Sequence, residues 1–373
     1  MKDEITNRVI ELAVAIQQIP APTFEEGRRA EFVRALFVQE ALQDVSQDAV
    51  GNVYARLAGQ GAARPLVVSA HLDTVFPRDT KLDVRREAGR IYAPGLGDNA
   101  LGVAALFGLA WQLRARGTSL PGDVWLVANV CEEGLGDLRG MRAVVERFGV
   151  QALAYLVIEG LSLGFIQHRG LGVRRYRIEA HTRGGHSWSD YGQPSAVHEL
   201  AHLVTQLTAL SLPEQPRTTL NVGRMGGGTS VNVIAPDAWL ELDLRSENSP
   251  MLEELARQVE ALVEAASRPG VRFEARVIGQ RPPGELPSDH ALIRLAQDCL
   301  QEQGMDAQLT IGSTDANIPL SRGLPALVLG VTRGGGAHTL EEFIETTGVS
   351  QGLEQLAEFV TRAFAIHSKV PWR

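Results

Sequence analysis

Four short apolar runs in this chain stop abruptly at titratable side chains or at a glycine loop that carries one. Leu66-Val67-Val68 leads into Ser69-Ala70-His71-Leu72-Asp73-Thr74, and Asp123 to Val130 leads into Cys131-Glu132-Glu133-Gly134. Ala154 to Ile158 ends at Glu159-Gly160, and Ala326 to Val331 runs on to the glycine loop Gly334 to His338. Short runs rich in branched residues read as buried strands. Helical segments lie between them, such as Ala100 to Arg116 behind the loop Pro94-Gly95-Leu96-Gly97-Asp98-Asn99. Strand, loop and helix alternate, which argues for an α/β fold with a doubly wound, mainly parallel sheet. In such a sheet the strand C-termini converge on one crevice, where a site belongs. Adjacent carboxylates at the end of an apolar strand are costly unless something positive meets them.

The N-terminal segment places Ile5, Val9, Leu12, Ala13, Ile16 and Ile19 on one helical face, ended by Pro20 and Pro22. Thr23 with Glu26 three residues on reads as a capping box for a second helix reaching about Leu42. From Leu171 the texture changes. Val173, Tyr176, Ile178 and Ala180 alternate with Arg174, Arg175, Arg177 and Glu179, much as in a strand with one wet face. Gly184-Gly185-His186-Ser187 reads as a loop, and Ser195 to Leu210 and Met251 to Ala266 as helices. Thr218 to Gly223, Val231 to Arg245 and Val271 to Ile278 read as strands, which makes an α+β block of four strands and two helices. Pro282-Pro283-Gly284 reads as the linker out, followed by a helix near Ala291 to Gln303, a loop at Gly312 to Asn317 and a terminal helix from about Val349. The expectation is a discontinuous catalytic domain of residues 1–170 and 282–373, with residues 171–281 inserted as a lid and dimerisation domain.

A length of 373 residues exceeds one ordinary core and agrees with two domains. A 44% hydrophobic and 21% charged composition is that of a soluble globular protein. The net charge of −8, with no basic block, argues against nucleic acid or an anionic membrane as partner. Two cysteines, Cys131 and Cys299, cannot build a disulfide framework, and no apolar leader precedes the first helix, so a cytoplasmic location is expected.

His71, Asp98, Glu133, Glu159 and His338 lie in five separate loops. Each alone has an ordinary structural explanation: a helix cap for Asp98, a solvated strand end for Glu159, a glycine-loop imidazole for His338. Together, two imidazoles and three carboxylates at strand C-termini suit two zinc ions sharing one carboxylate. A rival signal is His198-Glu199-Leu200-Ala201-His202, which fits the H-E-x-x-H pattern of single-zinc metallopeptidases. It lacks a signalled third ligand and sits in the inserted block, so an exposed helix face is the preferred reading.

With these residues in view, the chain resembles the co-catalytic dinuclear zinc exopeptidase and amidohydrolase family of glutamate carboxypeptidases, dipeptidases, aminoacylases and succinyl-diaminopimelate desuccinylase. The resemblance rests on Ser69 to Thr74, Gly97-Asp98-Asn99 with Gly102, Glu132-Glu133-Gly134, Glu159, and Gly185-His186-Ser187. It continues through Ser230 to Ile234, Asp243-Leu244-Arg245, Gly312-Ser313-Thr314-Asp315 and Ala337-His338. It implies that Asp98 bridges two zinc ions, with cobalt or manganese as substitutes. His71 and Glu159 would complete one site, and Glu133 and His338 the other. Asp73 would orient His71, and Glu132 would be the general base. His186 would stabilise the oxyanion, often from a dimer partner, and Asn232, Arg245 and Arg281 would contact substrate. The implied activity is hydrolysis of a peptide bond in di- or tripeptides, of carboxypeptidase or dipeptidase type. Deacylation of N-acyl amino acids is the alternative on the same site, and a non-catalytic metal-binding protein the alternative from another class. Asn99 departs from the family pattern, where a second Asp commonly follows the bridging one.

Overall fold

The computed structural model describes residues 2–367; Met1 and residues 368–373, which end the segments expected to form the catalytic domain, lie outside the described residues. The chain divides into two compact units, Met1–Gly170 with Gly284–Arg373, and Leu171–Pro283. Each has its own apolar cluster.

The first unit is built on a nine-stranded sheet. Its strand order is Gln43–Gln47, Val53–Leu57, Gly122–Asn129, Ala63–His71, Tyr155–Glu159, Ala326–Gly330, Phe165–Gly170 and Gly284–Glu285, with Gln308–Gly312 also pairing Phe165–Gly170. The centre is parallel, from Gly122–Asn129 across to Ala326–Gly330, and antiparallel pairs flank it. Register brings the central C-termini level: His71 lies opposite Asn129, and Glu159 opposite Gly330. The residues at these ends, and those just after them, therefore share one edge of the sheet. Helix Leu101–Ala115 is buried from Leu101 to Leu113, which accounts for its Ala- and Leu-rich sequence. A Cβ on its Gly108 would lie 2.6 Å from Val9 and 2.8 Å from Leu353, so glycine allows helices Lys2–Gln17 and Val349–His367 to pack closely there.

Local signals misled at three places. The second helix runs only over Gly27–Gln39, and Gln43–Gln47 is an edge strand. Thr23 and Glu26 form no capping box: Thr23 donates to Asp73 at 3.0 Å, and Glu26 accepts the backbone N–H of Phe24 and of Cys131. Tertiary partners outcompete the local cap. Strands Phe165–Gly170 and Gln308–Gly312, absent from the sequence reading, pair with each other in parallel.

The second unit is an antiparallel sheet in the order Thr218–Gly227, Asp237–Ser246, Gly172–Thr182, Val271–Arg281. Helices Ala196–Thr208 and Ser249–Ala266 pack their buried faces on it. The strand expected over Val231 to Arg245 is divided. Val233–Ile234 pairs separately with Gly185–His186, and the long strand starts only at Asp237, because Pro236 offers no ladder N–H. Among the described residues no helix is long and apolar enough to cross a membrane.

Arg29 ties the first unit's loops together. Its buried guanidinium donates to the carbonyls of Ile19 (2.6 and 2.9 Å), Leu72 (2.7 Å) and Gln17 (3.4 Å). Arg29→Leu leaves these acceptors without water or a donor, so it is expected to lower the unfolding free energy by about 3 kcal/mol. Denaturant unfolding measures this, and Arg34→Leu on the exposed face of the same helix is the comparison, expected to be near neutral.

Candidate active site

Asp98 lies in a segment, Leu96–Ala100, whose backbone leaves helical geometry at Asp98 and Asn99; the following helix is capped by Ala100, so Asp98 is not its cap. Its two carboxylate oxygens approach different imidazoles. Oδ1 is 3.1 Å from His71 Nε2, and Oδ2 is 3.1 Å from His338 Nε2. Glu159 Oε2 lies 3.6 Å from His71 Nε2, and Glu133 Oε1 lies 3.1 Å from His338 Nε2. The five residues thus form two clusters joined at one carboxylate. In each of the triads His71–Asp98–Glu159 and Asp98–Glu133–His338, potential ligand atoms all lie within 4.8 Å of one another. Glu132 and Glu133 form a third such group with His71, so Glu132 also faces this place.

Buried polar contacts hold the loops. Asp73, fully buried, accepts the backbone N–H of Glu132 at 2.9 Å and of Glu133 at 2.8 Å. His71 Nδ1 lies 3.0 Å from the Asp73 backbone carbonyl and 3.7 Å from its carboxylate. The closer contact of Asp73 to the His71 ring is thus through its backbone carbonyl, and its carboxylate anchors the turn of the two glutamates. Asn99 donates to the carbonyl of Ile158 at 2.9 Å and accepts the N–H of Gly160 at 2.8 Å, which ties the Asp98 loop to the Glu159 strand. Glu342, also fully buried, accepts the N–H groups of Gly95, Gly97 and Asp98. Sequence reading missed Glu342 because Glu341-Glu342 looks like an ordinary solvated pair. Asp315, which stands in one of the segments that carry the resemblance but received no role, is buried and accepts from Asn129 at 2.7 Å.

The electrostatics are those of carboxylates and imidazoles pressed together. Burial opposes the charge on Asp98, but His338 and His71 outweigh it and hold the carboxyl well below the usual carboxylate range. Hydrogen bonds to Asp98 and Glu133 push His338 up to about 10. Burial pulls His71 down, but contacts with Asp73, Asp98 and Glu159 more than reverse this. Burial raises Glu159 above the ordinary glutamate value. Positive charge on the two imidazoles thus faces the carboxylates of Asp98, Glu133 and Glu159.

The other predicted residues lie in the second unit. Asn232 adjoins the His186 loop, its carbonyl accepting the Ser187 N–H at 3.1 Å. His186 is exposed, and its Nδ1 faces the N–H groups of Trp188 (3.2 Å) and Ser189 (3.3 Å). Arg245 and Arg281 both register against Val173, on neighbouring strands at the opposite end of the sheet. Val173 and Thr182 bound most of that strand, a span of about 30 Å. Within one copy, His186 and Asn232 are therefore far from the two arginines. Arg245 also pairs with Asp243 at 2.7 Å, and Arg281 is buried. The H-E-x-x-H residues do not converge: His198 and His202 are exposed, and Glu199 takes two bonds from Arg268 at 2.7 and 2.8 Å. A further group, Glu179–His181–Glu274, is already paired with Arg177, Asp237 and Arg272 respectively.

Residues 67–362 match the peptidase family M20/M25/M40. A succinyl-diaminopimelate desuccinylase from Corynebacterium glutamicum is 26% identical over 347 residues, covering 89% of this chain and 90% of that protein. A tripeptidase structure from Staphylococcus aureus superposes with a TM-score of 0.80 at 20% identity, covering 96% of this chain and 99% of that one. A dipeptidase structure from Saccharomyces cerevisiae gives 0.79 at 14% identity, covering 98% and 97%. The family match spans the parallel centre of the sheet from Val67 onward, the five loops and the whole second unit, and the chain belongs to the peptidase family M20/M25/M40.

Proposed function

We propose that this hydrolase uses two divalent metal ions, zinc in the first instance, to cleave a terminal peptide bond or an N-acyl amide bond of a small substrate in the cytoplasm. The observation that carries the reading is the division of Asp98 between two imidazoles, each 3.1 Å from its own oxygen. The donor set fits the ions: imidazole nitrogen and carboxylate oxygen suit zinc and accept cobalt or manganese. Thiolate ligation is not favoured, since burial and the neighbouring Glu26 push the Cys131 thiol up to about 12. His71, Glu159 and one oxygen of Asp98 would hold one ion, and His338, Glu133 and the other oxygen the second. Bound there, the ions supply Lewis-acid charge that polarises the scissile carbonyl and acidifies water.

The chain's own groups do the rest. Glu132, beside the ligands, takes a proton from the attacking water and delivers it to the leaving amine. His186, its Nδ1 facing two backbone N–H groups, keeps Nε2 as the donor for the developing oxyanion. An arginine at position 245 or 281 can grip a terminal carboxylate bidentately. Within one copy those arginines flank Val173, whereas His186 follows the other end of the same strand, which is about 30 Å long. That separation supports a homodimer in which the second unit acts as a lid and His186 serves the partner's site. The buried, unpaired Cys131 and Cys299 agree with a reducing cytoplasm. Peptide cleavage is favoured by the tripeptidase and dipeptidase structures, and deacylation by relatives named as a desuccinylase and as acetylornithine deacetylases.

A panel of di- and tripeptides and N-acyl amino acids, assayed on zinc- and cobalt-loaded protein, is expected to yield turnover of at least one class. Glu132→Gln should cut kcat by roughly 100- to 10,000-fold while two metal equivalents still bind. Two bound equivalents with no hydrolysis of either class would sink the proposal.

The metal-free protein has its own pH signature. His338 stands at about 10 when folded against an ordinary 6.5, so the stability it contributes is complete below about 6.5 and disappears as pH rises through about 10. Melting temperatures of chelator-treated protein should fall between pH 7 and 10. Zinc affinity should rise over the same window, because the ion displaces protons from the imidazoles. A flat melting profile would remove the ion-pair account.

Coexpression tests the shared site. His186→Ala and Glu132→Gln, each inactive alone, should regain activity when coexpressed, since a mixed dimer holds one intact site. Strictly monomeric sedimentation with full activity would confine His186 to its own chain.

A further inference from the structure

The glutamate four residues after His338 faces inward rather than toward solvent. Glu342 is fully buried, whereas the side chain of its neighbour Glu341 is 81% exposed. One Glu342 oxygen, Oε2, accepts the N–H of Gly95 at 3.0 Å. The other, Oε1, accepts the N–H of Gly97 at 2.6 Å and of Asp98 at 2.9 Å. The main chain grips the same loop: the Glu342 carbonyl accepts the N–H of Ala93 at 2.9 Å, and strand Phe343–Glu345 pairs with Arg90–Tyr92. On the other side, Glu342 N–H donates to Thr339, and Thr339 donates from both N–H and hydroxyl to Gly336, which closes the turn that carries His338. Glycine at 97 suits the close approach, since a Cβ there would lie 2.6 Å from Leu161 and 3.2 Å from Glu342 Oε1.

Resting on the dinuclear metal reading above, we propose that Glu342 is a positioning residue for the shared carboxylate. It clamps the Asp98 loop to the His338 turn, so that the second metal pocket is assembled as one piece. A carboxylate suits this place because both of its oxygens accept and neither donates. Glutamine would turn an N–H donor toward at least one backbone N–H, and aspartate falls one methylene short. The consequence concentrates on the pocket that Asp98 forms with His338, because the clamp joins those two segments, whereas His71 is held separately against the Asp73 backbone carbonyl. The sheet and its apolar core do not depend on this clamp.

The test compares Glu342→Gln, Glu342→Asp and the exposed control Glu341→Gln in the full chain. Zinc is titrated against a competing chelator, cobalt absorption is followed through two equivalents, and kcat and KM are measured at limiting and excess metal. For Glu342→Gln, affinity for one of the two equivalents should weaken about 10- to 100-fold, with the other changed less than about threefold. Activity should fall through kcat at limiting metal and recover in excess metal, with KM within about twofold. Glu342→Asp should be intermediate and Glu341→Gln should match the parent. Parent-like affinities for both equivalents in Glu342→Gln would overturn the proposal, as would equal loss of both together with a lower melting temperature of the metal-free protein. Should Glu342→Gln not fold, Glu342→Asp is judged by the same criteria. A parent that binds fewer than two equivalents overturns the metal reading itself, a result distinct from an unaffected Glu342→Gln in a parent that binds two.

Discussion

The site depends first on the Asp73 carboxylate. It sits with no solvent exposure behind the end of strand Ala63–His71, where an unpaired charge would be prohibitive. Its oxygens take the backbone N–H groups of Glu132 and Glu133 and the hydroxyl of Thr23, and the His71 ring lies alongside. These contacts, with the imidazole charge, hold Asp73 below its ordinary pKa although burial pushes the other way. One buried anion therefore sets the turn that presents two further carboxylates, and its own backbone sets an imidazole.

The same device recurs around the crevice. Glu26 holds Phe24 and Cys131, Asn99 joins the Asp98 loop to the end of strand Tyr155–Glu159, and Glu342 holds Gly95, Gly97 and Asp98. Each contact binds the backbone of a loop that carries a potential ligand, or of its neighbour. Ligand side chains must converge within a few tenths of an ångström, and loops alone would not hold that precision. Buried acceptors on backbone N–H groups supply it without obstructing the faces that ligate.

The second unit follows different rules. Its sheet is antiparallel, its helices cover one face, and its polar loop residues are exposed. His186 lies on a two-residue strand paired with Val233–Ile234, whereas Arg245 and Arg281 flank Val173 at the other end.

Much was legible in the residues. Short apolar runs with charged ends specify buried strands and the edge where polar groups collect, because only a strand terminus lets an apolar segment meet a carboxylate cheaply. The inserted block showed itself through alternation, since a sheet with one wet face must alternate. What remained hidden was direction and partnership. Thr23 and Glu26 spell a local cap yet serve Asp73 and Cys131, and Glu342 spells a solvated pair yet lies in the core. The sequence by itself determined which residue types could gather at the sheet edge. Tertiary structure alone decided that five loops meet, that Asp98 divides its oxygens, and which acids turn inward, because those outcomes rest on contacts between segments up to some 250 residues apart that local propensity does not encode.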